Sequence, residues 1–412
     1  MKIVVICPTY NEKENMEKMI PMLVEEIFPK IKNHQVYLLI ADDRSPDGTG
    51  QLVKNFIKKY KQVELLEGDK EGLGAAYVRA MKYAMDKMHA DAVIEFDADF
   101  QHDPNDIPRL VAAMDEGYDY IIGSRYIHGG RIPKEWGFER KIKSVFGSLF
   151  ARIVLLTFRI HDMTSGFKLT KTSFLKKVDL DHLYSKNYAY KMQILYEVVK
   201  LGAKIKEVPI IFYERKEGKS KMDTNDLYDS FTLVIKLRLR DSQRLIKFLI
   251  VGTTGFIIQV IFQELSIFIG VAFLLAKLIS VVVGLFAQAP DLFILSHAVA
   301  AAIGAESAII ANFTFNNIWT FSDTKKIKQS GNFFVKLAKF NTTSFAAIFI
   351  QFFAVWIGEK ILGTNIHLFT ASVPTRIAIL FPTIIFLIIP LNYIIYNKII
   401  WKTQHLKHEK GN

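Results

Sequence analysis

Residues 92–102 read AVIEFDADFQH, an apolar run that ends in two carboxylates separated by one residue. The run at 92–96 predicts a buried strand, which places Asp97, Asp99 and the amide of Gln101 at its carboxyl end. Hard oxygen ligands on a short turn suit Mg²⁺ or Mn²⁺ and leave coordination positions for phosphate oxygens. An acidic pair of this kind is by itself more often a solvated turn, so its meaning depends on the sequence around it.

The strand at 92–96 belongs to a series of short apolar runs that alternate with amphipathic stretches as far as residue 123. Further strands are predicted at 3–6, 36–40, 63–66 and 120–122, and helices at 14–28, 50–60, 74–88 and 106–115. This alternation is typical of βαβ units in a mostly parallel sheet. We therefore predict a Rossmann-like α/β domain whose ligands bind at the carboxyl ends of the strands.

The charge of the chain is divided unevenly along its length. The 412 residues carry 53 Lys and Arg against 41 Asp and Glu, a formal net charge of +12. Of the acidic residues, 34 lie before Arg240 and 7 after it, so the C-terminal part is apolar and poor in charge. We predict a soluble domain at 1–236 and a membrane domain at 237–412. Because about half of the net charge falls in the membrane part, where cations report orientation, nucleic-acid binding is disfavoured.

Four apolar segments of the second domain are long enough to cross a hydrocarbon core of about 30 Å. They lie at 248–269, 292–319, 340–362 and 377–400, and we expect a shorter run at 271–286 to be re-entrant or interfacial. Basic residues near the ends of spans mark the cytosolic side, and here they are Lys325, Lys326, Lys328, Lys402, Lys407 and Lys410. We therefore predict about four helices, with the first domain and the C-terminal tail in the cytosol. The apolar run at 3–7 is too short for a signal-peptide core, which agrees with that orientation.

The segment 140–160 has apolar residues at helical spacing with basic residues between them, and it is too charged to span a bilayer. Two interpretations stay open. The helix either packs its apolar side on the protein core or lies in the membrane interface.

Two loops after predicted strands carry residues suited to a nucleoside. Asp42 and Asp43 end the second strand, where an acid commonly accepts hydrogen bonds from a base or ribose. Pro8, Tyr10 and Glu12 lie in the first βα loop, where the ring of Tyr10 is placed to flank a base. Each group also fits ordinary turn and helix-start chemistry.

A basic loop near the end of the first domain carries residues suited to a diphosphate. Arg215 and Lys221 flank Gly218 after a strand predicted at 208–213, and the loop is short enough to fold over a ligand. A solvated loop is the ordinary alternative.

Seven motifs in this order resemble those of the family 2 glycosyltransferases of GT-A fold, most closely the dolichyl-phosphate mannose synthases. They are Pro8-Thr9-Tyr10-Asn11-Glu12, Asp42-Asp43-Arg44-Ser45-Pro46-Asp47, Gly72-Leu73-Gly74, Asp97-Ala98-Asp99-Phe100-Gln101-His102, Gly123-Ser124-Arg125-Tyr126, Ser165-Gly166-Phe167, and Arg215 with Gly218-Lys219-Ser220-Lys221. The resemblance covers about residues 1–223. The second half resembles the GtrA-like membrane family through KFLIVG at 247–252 and NFTFNNIWTF at 312–321.

The resemblance implies roles for particular residues. The nucleoside would be held by Pro8, Tyr10, Glu12, Ala41 and Asp43. The ribose, diphosphate and metal would be met by Asp97, Ala98, Asp99 and Gln101, with Asp97, Asp99 and Gln101 as the metal ligands. Arg215 and Lys221 would close over the diphosphate. Arg125, Arg140 and Ser144 match positions that receive the phosphate of a lipid acceptor, and the groups nearest the reaction would be Asp99, Arg125, Arg215 and Lys221.

Two positions depart from the family pattern. Arg44 stands where the synthases often have a third Asp, and Gln193 stands where many relatives have Glu. We therefore assign no catalytic role to Gln193.

The implied function is transfer of mannose from GDP-mannose to dolichyl or another polyprenyl phosphate at the cytosolic face of a bilayer, with inversion. A glucose or other hexose synthase that uses a UDP-sugar is the alternative within the same class. A non-catalytic module that translocates or scaffolds lipid-linked sugars is the alternative from another class. Glu306, an ionisable residue inside a predicted span, is the feature that keeps translocation open, although a helix contact explains it equally.

Overall fold

The structure is a computed structural model that describes residues 1–214, 224–285, 291–320, 333–368 and 371–395. The chain divides into two units, Met1–Arg240 and Asp241–Asn412. The first is built on a sheet with helices on both faces, and the second is mainly helical.

One seven-stranded sheet forms the centre of the first unit. Its strands are β1 (Lys2–Thr9), β2 (Gln35–Asp42), β3 (Val63–Glu67), β4 (Ala92–Glu95), β5 (Tyr120–Ser124), β6 (Lys168–Lys171) and β7 (Ile205–Pro209). The order across the sheet is β3-β2-β1-β4-β6-β5-β7, and β6 runs antiparallel to both of its neighbours while the other pairs are parallel. The predicted mostly parallel sheet is confirmed.

Two strands differ from the prediction. The sequence gives no apolar run for β6, because the strand is four residues long and begins and ends in Lys. The strand predicted at 208–213 is wrong in its bounds, since β7 begins at Ile205 and ends at Pro209. Beyond Pro209, Ile211 and Phe212 make only isolated bridges.

Helices cover both faces of the sheet in the first unit. They are α1 (Lys13–Pro21, continued by a π-helical turn at Met22–Ile27), α2 (Thr49–Lys59), α3 (Leu73–Asp86), α4 (Ile107–Asp115), α5 (Phe138–Leu155), α6 (Thr172–Leu175) and α7 (Tyr190–Lys200). Alternate residues of β1 enter two separate cores: Ile3 and Val5 pack with α1 and α4, whereas Val4 and Ile6 pack with α3 and α7. A strand buried on both faces explains the unbroken apolar run near the N-terminus.

The helices of the second unit lie where apolar segments are predicted. They are α8 (Thr224–Phe268, which begins before the unit boundary), α9 (Val271–Gly284), α10 (Leu292–Phe315), α11 (Phe333–Leu362), α12 (Thr375–Thr383) and α13 (Ile389–Ile395). Of the described helices, Asn225–Phe268 and Leu292–Thr320 are long and apolar enough to cross a membrane. The sequence does not predict the antiparallel pair of strands β8 (Asn365–Leu368) and β9 (Ala371–Pro374). All six lysines used to predict the orientation lie outside the described residues.

Polar side chains link the helices of the second unit. His297 of α10 is buried against Glu359 of α11, with Nδ1 2.9 Å from Oε2. Glu306 of α10 accepts a hydrogen bond of 3.0 Å from Nδ2 of Asn341 on α11. This contact favours the interpretation of Glu306 as part of a helix contact.

Two opposite charges face each other inside the first unit. Glu95 on β4 and Lys168 on β6 are cross-strand partners, and both are almost completely buried. The Lys168 ammonium donates to the backbone oxygen of Lys191 at 3.0 Å, and Glu95 accepts a hydrogen bond of 2.5 Å from the Tyr190 hydroxyl. Burial lowers the pKa of Lys168 to about 8 although Glu95 opposes the shift.

We expect Lys168→Met to lower the free energy of unfolding by about 3–5 kcal/mol, because it leaves the Glu95 carboxylate buried without its cation. Denaturant unfolding of the purified chain, followed by circular dichroism, measures this. The double variant Glu95→Gln/Lys168→Met removes both charges and should recover most of the loss. Lys171→Met is the matched control on the same strand, since its ion pair with Asp119 is partly exposed and worth about 1 kcal/mol or less. Equal losses of unfolding free energy in Lys168→Met and Lys171→Met would show that Lys168 does not stabilise the buried Glu95 carboxylate.

Candidate active site

A cavity of about 940 Å³ lies in the first unit, at the carboxyl ends of β1, β2 and β4. Loops that follow six strands, all but β6, line it together with parts of α3, α5, α7 and α8. Its volume is that of a site for a ligand of nucleotide size. The sheet edge predicted from the sequence is therefore the edge that holds the cavity.

Asp97 lies at the floor of the cavity with its side chain 26% exposed. The Tyr77 hydroxyl donates a hydrogen bond of 2.7 Å to Oδ1, and the Lys191 ammonium lies 3.6 Å from Oδ2. Burial works to raise the pKa of Asp97, but Lys191 and other neighbours outweigh it and hold the pKa below its usual value. Asp97 is therefore an ionised carboxylate with a fixed orientation.

Asp99 and Gln101 also line the cavity, and the turn between them is held by a hydrogen bond of 3.0 Å from the Gln101 backbone nitrogen to Oδ1 of Asp99. The Gln101 amide nitrogen donates to the backbone oxygen of Tyr213 at 3.3 Å. The side-chain oxygen of Gln101 is then the atom that could coordinate a cation.

A divalent cation fits this acidic loop. No group of three His, Cys, Asp or Glu side chains that could hold a metal is found among the described residues. Mg²⁺, however, is commonly bound by one or two carboxylates together with water and substrate phosphates. Asp99 and Gln101 offer that kind of donor set, whereas Asp97 already faces an ammonium.

His102 packs beneath the acidic loop against the rings of Phe167 and Phe212. Burial lowers the pKa of His102 to about 3, so the imidazole is neutral at physiological pH. Its position is that of a packing residue of the loop.

The residues predicted for the nucleoside separate into two groups. Pro8, Tyr10, Glu12 and Asp43 line the cavity, and so does Lys70, whose ammonium lies 3.6 Å from the centre of the Tyr10 ring. In contrast, the Ala41 side chain is buried in the core that contains α3, so only its backbone is available to a ligand.

Asp42 and Asp43 have different surroundings although they are adjacent. Asp42 is buried and accepts hydrogen bonds from Thr9 at 2.8 Å and from Ser45, which hold the loop after β2. Asp43 faces the cavity and pairs with Arg79 at 2.6 Å. Of the two acids, Asp43 is the one that a nucleoside can reach.

Arg125 lines the cavity, but its guanidinium is paired with the buried carboxylate of Asp162. Nε and Nη2 donate to the two carboxylate oxygens of Asp162 at 2.8 and 2.7 Å, and Nη2 also lies 2.8 Å from the Thr164 hydroxyl. Although burial opposes it, Arg125 holds the pKa of Asp162 below its usual value. A phosphate bound here would contact a guanidinium that already donates two hydrogen bonds to the Asp162 carboxylate.

Arg140 and Ser144 lie one helical turn apart on α5 and line the same cavity. The Arg140 guanidinium stacks over the Trp136 ring at 4.1 Å, and the Ser144 hydroxyl lies 2.5 Å from that of Tyr126. The structure therefore brings two of the residues predicted for the acceptor phosphate to the same space as the acidic loop.

The opposite side of α5 and the loop after it present a row of exposed apolar residues. They are Phe138, Ile142, Val145, Phe146, Leu149, Ile153, Leu156 and Phe158. The buried residues of the helix are Ser148, Ala151 and Leu155. A core-facing helix would bury the larger apolar side chains, so that interpretation is disfavoured.

Of the remaining residues that the sequence singles out, two lie outside the described part of the chain and one has a structural contact. Arg215 and Lys221 lie outside the described residues. Gln193 is buried, and its side-chain oxygen accepts a hydrogen bond of 2.8 Å from the Tyr184 backbone nitrogen, which is a structural contact. Sequence reasoning missed Lys191, because nothing near it in the chain indicates that α7 carries it to Asp97.

Two family models match the chain. The model for glycosyl transferase family 2 matches residues 4–179, and the model for the GtrA/DPMS transmembrane domain matches residues 285–401. The first match contains the sheet and the acidic loop, and the second contains α10 to α13.

Known proteins are similar over long stretches. Dolichol-phosphate mannosyltransferase of Pyrococcus furiosus is 30% identical over 381 residues, which cover 90% of this chain and 94% of the relative. Polyprenol monophosphomannose synthase of Mycolicibacterium smegmatis is 34% identical over 241 residues, 58% of this chain and 88% of the relative. Among solved structures, the mannosyltransferase PcManGT of Pyrobaculum calidifontis is 15% identical and covers 88% of this chain and 86% of its own, with a TM-score of 0.37. Because this TM-score is low, the family assignment rests on the sequence matches alone.

The sheet and its acidic loop define a glycosyltransferase domain of GT-A fold. The chain belongs to glycosyltransferase family 2. Because its second unit carries the GtrA/DPMS transmembrane domain, it is a membrane protein.

Proposed function

We propose that this glycosyltransferase transfers mannose from GDP-mannose to dolichyl or another polyprenyl phosphate, with inversion at the anomeric carbon. The observation that carries the proposal is one cavity lined both by Asp97 and Asp99 and by Arg140 and Ser144 of α5. A loop suited to a nucleotide thus shares its space with a basic amphipathic helix. The relatives' names, dolichol-phosphate mannosyltransferase and polyprenol monophosphomannose synthase, support this sugar and this acceptor.

The acceptor would need little activation. A phosphomonoester has a second pKa of about 6, so most of it is dianionic at pH 7 and already nucleophilic. The reaction therefore requires no general base, and His102, neutral and packed among aromatic rings, is not needed as one. A single displacement at the anomeric carbon inverts it, so an α-linked sugar nucleotide would yield a β-linked lipid phosphate sugar.

The departing nucleoside diphosphate requires positive charge as the bond breaks. Asp99 and Gln101 would hold Mg²⁺ or Mn²⁺, which supplies that charge when bound. On sequence grounds Arg215 and Lys221 would add to it. At the other side of the reacting carbon, Arg140 and Ser144 would hold the acceptor phosphate in line for attack.

The exposed apolar row of α5 supports placement of the site at a lipid surface. A polyprenyl phosphate keeps its chain in the bilayer and its head group at the interface, so a helix lying there brings Arg140 to the head group. Lys134, Lys141 and Lys143 flank the row and favour an anionic surface. We propose that this surface is cytosolic, as the distribution of lysines in the second half of the sequence predicts.

A direct assay separates the three candidate functions. Membranes that contain the protein are given dolichyl phosphate with radiolabelled GDP-mannose or UDP-glucose, and the label is counted in the organic extract. We expect label from GDP-mannose, and the lipid product should be the β anomer. Label from UDP-glucose alone would favour the hexose synthase that uses a UDP-sugar. Label from neither donor would favour the non-catalytic translocation or scaffold module.

Replacement of Asp99 by Ala tests the metal ligand. We expect transfer to fall by about 100-fold or more, because the departing diphosphate loses the cation that neutralises it. Titration of the protein with Mn²⁺, followed by electron paramagnetic resonance, should show weaker binding as well. Asp103→Ala is the control, since Asp103 belongs to the same loop but does not line the cavity. Near-normal metal binding in Asp99→Ala would exclude Asp99 as a ligand.

Replacement of Arg140 by Ala tests the acceptor site. We expect the KM for dolichyl phosphate to rise roughly tenfold, the order expected for one lost charge-assisted hydrogen bond. Calorimetry should show little change in the affinity for GDP-mannose. Lys176→Ala is the control, because Lys176 is an exposed cation that lies outside both α5 and the cavity. A loss of donor affinity with normal acceptor use would refute the assignment.

A further inference from the structure

A buried ammonium lies beneath the floor of the cavity. The Lys191 side chain, near the start of α7, is completely buried, and its ammonium has no hydrogen-bond partner among the described residues. The Oδ2 atom of Asp97, 3.6 Å away, is its ion-pair partner and is too distant for a hydrogen bond. An ammonium without hydrogen bonds in a protein interior is costly, so its position requires a reason.

The surroundings of Lys191 stabilise its ammonium in the charged form. The ammonium lies 4.8 Å from the centre of the Tyr188 ring and 5.6 Å from that of Tyr77, and the aromatic faces stabilise it. Burial works to lower the pKa of Lys191, but Asp97, Tyr188 and other neighbours together outweigh it and raise the pKa above its usual value. Lys191 is therefore a cation at physiological pH.

Gly166 leaves the space that this cation occupies. A Cβ atom at Gly166 would lie 2.6 Å from the Lys191 ammonium and 2.8 Å from Oδ2 of Asp97, which is closer than side-chain atoms can approach. Gly166 also lines the cavity. The missing side chain at Gly166 thus leaves room for the Lys191 ammonium to lie beside Oδ2 of Asp97.

The charge of Asp97 matters because the proposed donor is an anion. An ionised carboxylate at the cavity floor would repel a diphosphate unless a cation compensates it. Lys191 supplies that compensation on Oδ2, while Tyr77 fixes Oδ1. A carboxylate that is neutralised and oriented in this way can accept a hydrogen bond from a hydroxyl group of the ligand.

We propose that Lys191 is a positioning residue of the donor site, which neutralises and orients Asp97 from beneath the floor so that Asp97 accepts a hydrogen bond from a hydroxyl of the sugar nucleotide. The proposal rests on the proposed function. It adds a residue to the donor site that no sequence motif includes. It also separates the two acids of the loop: Asp99 faces the metal, and Asp97 faces a hydroxyl.

The test measures donor affinity by calorimetry on the full-length protein in detergent, with GDP-mannose as the probe, in EDTA and again with Mn²⁺. We expect Lys191→Met to weaken binding about tenfold or more under both conditions, because Asp97 becomes an uncompensated charge. The KM for dolichyl phosphate should not change. Lys191→Arg keeps the charge and should restore affinity to within about threefold of the original protein. Lys200→Met, at the exposed end of the same helix, is the matched control.

A double-variant cycle shows whether Lys191 acts through Asp97. If it does, adding Lys191→Met to Asp97→Asn causes little further loss, so the two effects are far from additive. Additive losses, or a Lys191→Met variant that binds GDP-mannose normally, would overturn the proposal. A loss of thermal stability alone, with unchanged donor affinity, would also overturn it.

Gly166→Ala provides a second route if Lys191→Met does not fold. This variant keeps both charged groups but forces them apart, so we expect the same loss of donor affinity and the same unchanged acceptor KM. Normal donor affinity in a folded Gly166→Ala variant would count against the proposal. The failure of the proposed function is distinguishable, since the original protein would then itself fail to bind GDP-mannose.

Discussion

Charges buried behind the cavity require partners of opposite sign, and the arrangement of the first unit depends on meeting this requirement. An ion that is buried and unpaired costs several kcal/mol, so a chain that buries ions must bring complementary ones together. Two ion pairs, Asp97 with Lys191 and Asp162 with Arg125, meet this requirement directly, and the buried Glu95 and Lys168 are cross-strand neighbours whose charges stabilise each other. They connect β4 to β6, the acidic loop to α7, and the end of β5 to the segment before β6. The position of the acidic loop is therefore set from behind.

The same unit leaves apolar surface exposed on α5, where a soluble domain would cover it. Exposed apolar groups of this extent are unfavourable in water and favourable against lipid. Arg140 and Ser144 occupy the side of the same helix that faces the cavity. One helix thus has an exposed apolar face and another face toward the site. Under the proposed function the apolar face would meet the bilayer, which suits an acceptor whose head group stays at the interface.

The sequence predicted the sheet well where strands are apolar and buried on both faces. It failed at β6, because a four-residue strand that begins and ends in Lys has no apolar pattern. The acidic loop was predicted because a carboxylate after a buried strand must emerge at the carboxyl edge. Ala41 shows the limit of carrying a motif over residue by residue, since its side chain turns into the core and not into the cavity.

The sequence by itself determined the α/β class of the first unit, the edge of the sheet that holds the site, and the apolar helices of the second. Each of these follows from a local periodicity or from the direction of a strand, and none of the three needs knowledge of distant residues. Only the tertiary structure decided that Lys191 lies beneath Asp97, that Asp162 shares the fork of Arg125, and that α5 exposes its apolar side. These are contacts between segments far apart in the chain, and their partners are selected by burial and charge balance, which a linear pattern does not record.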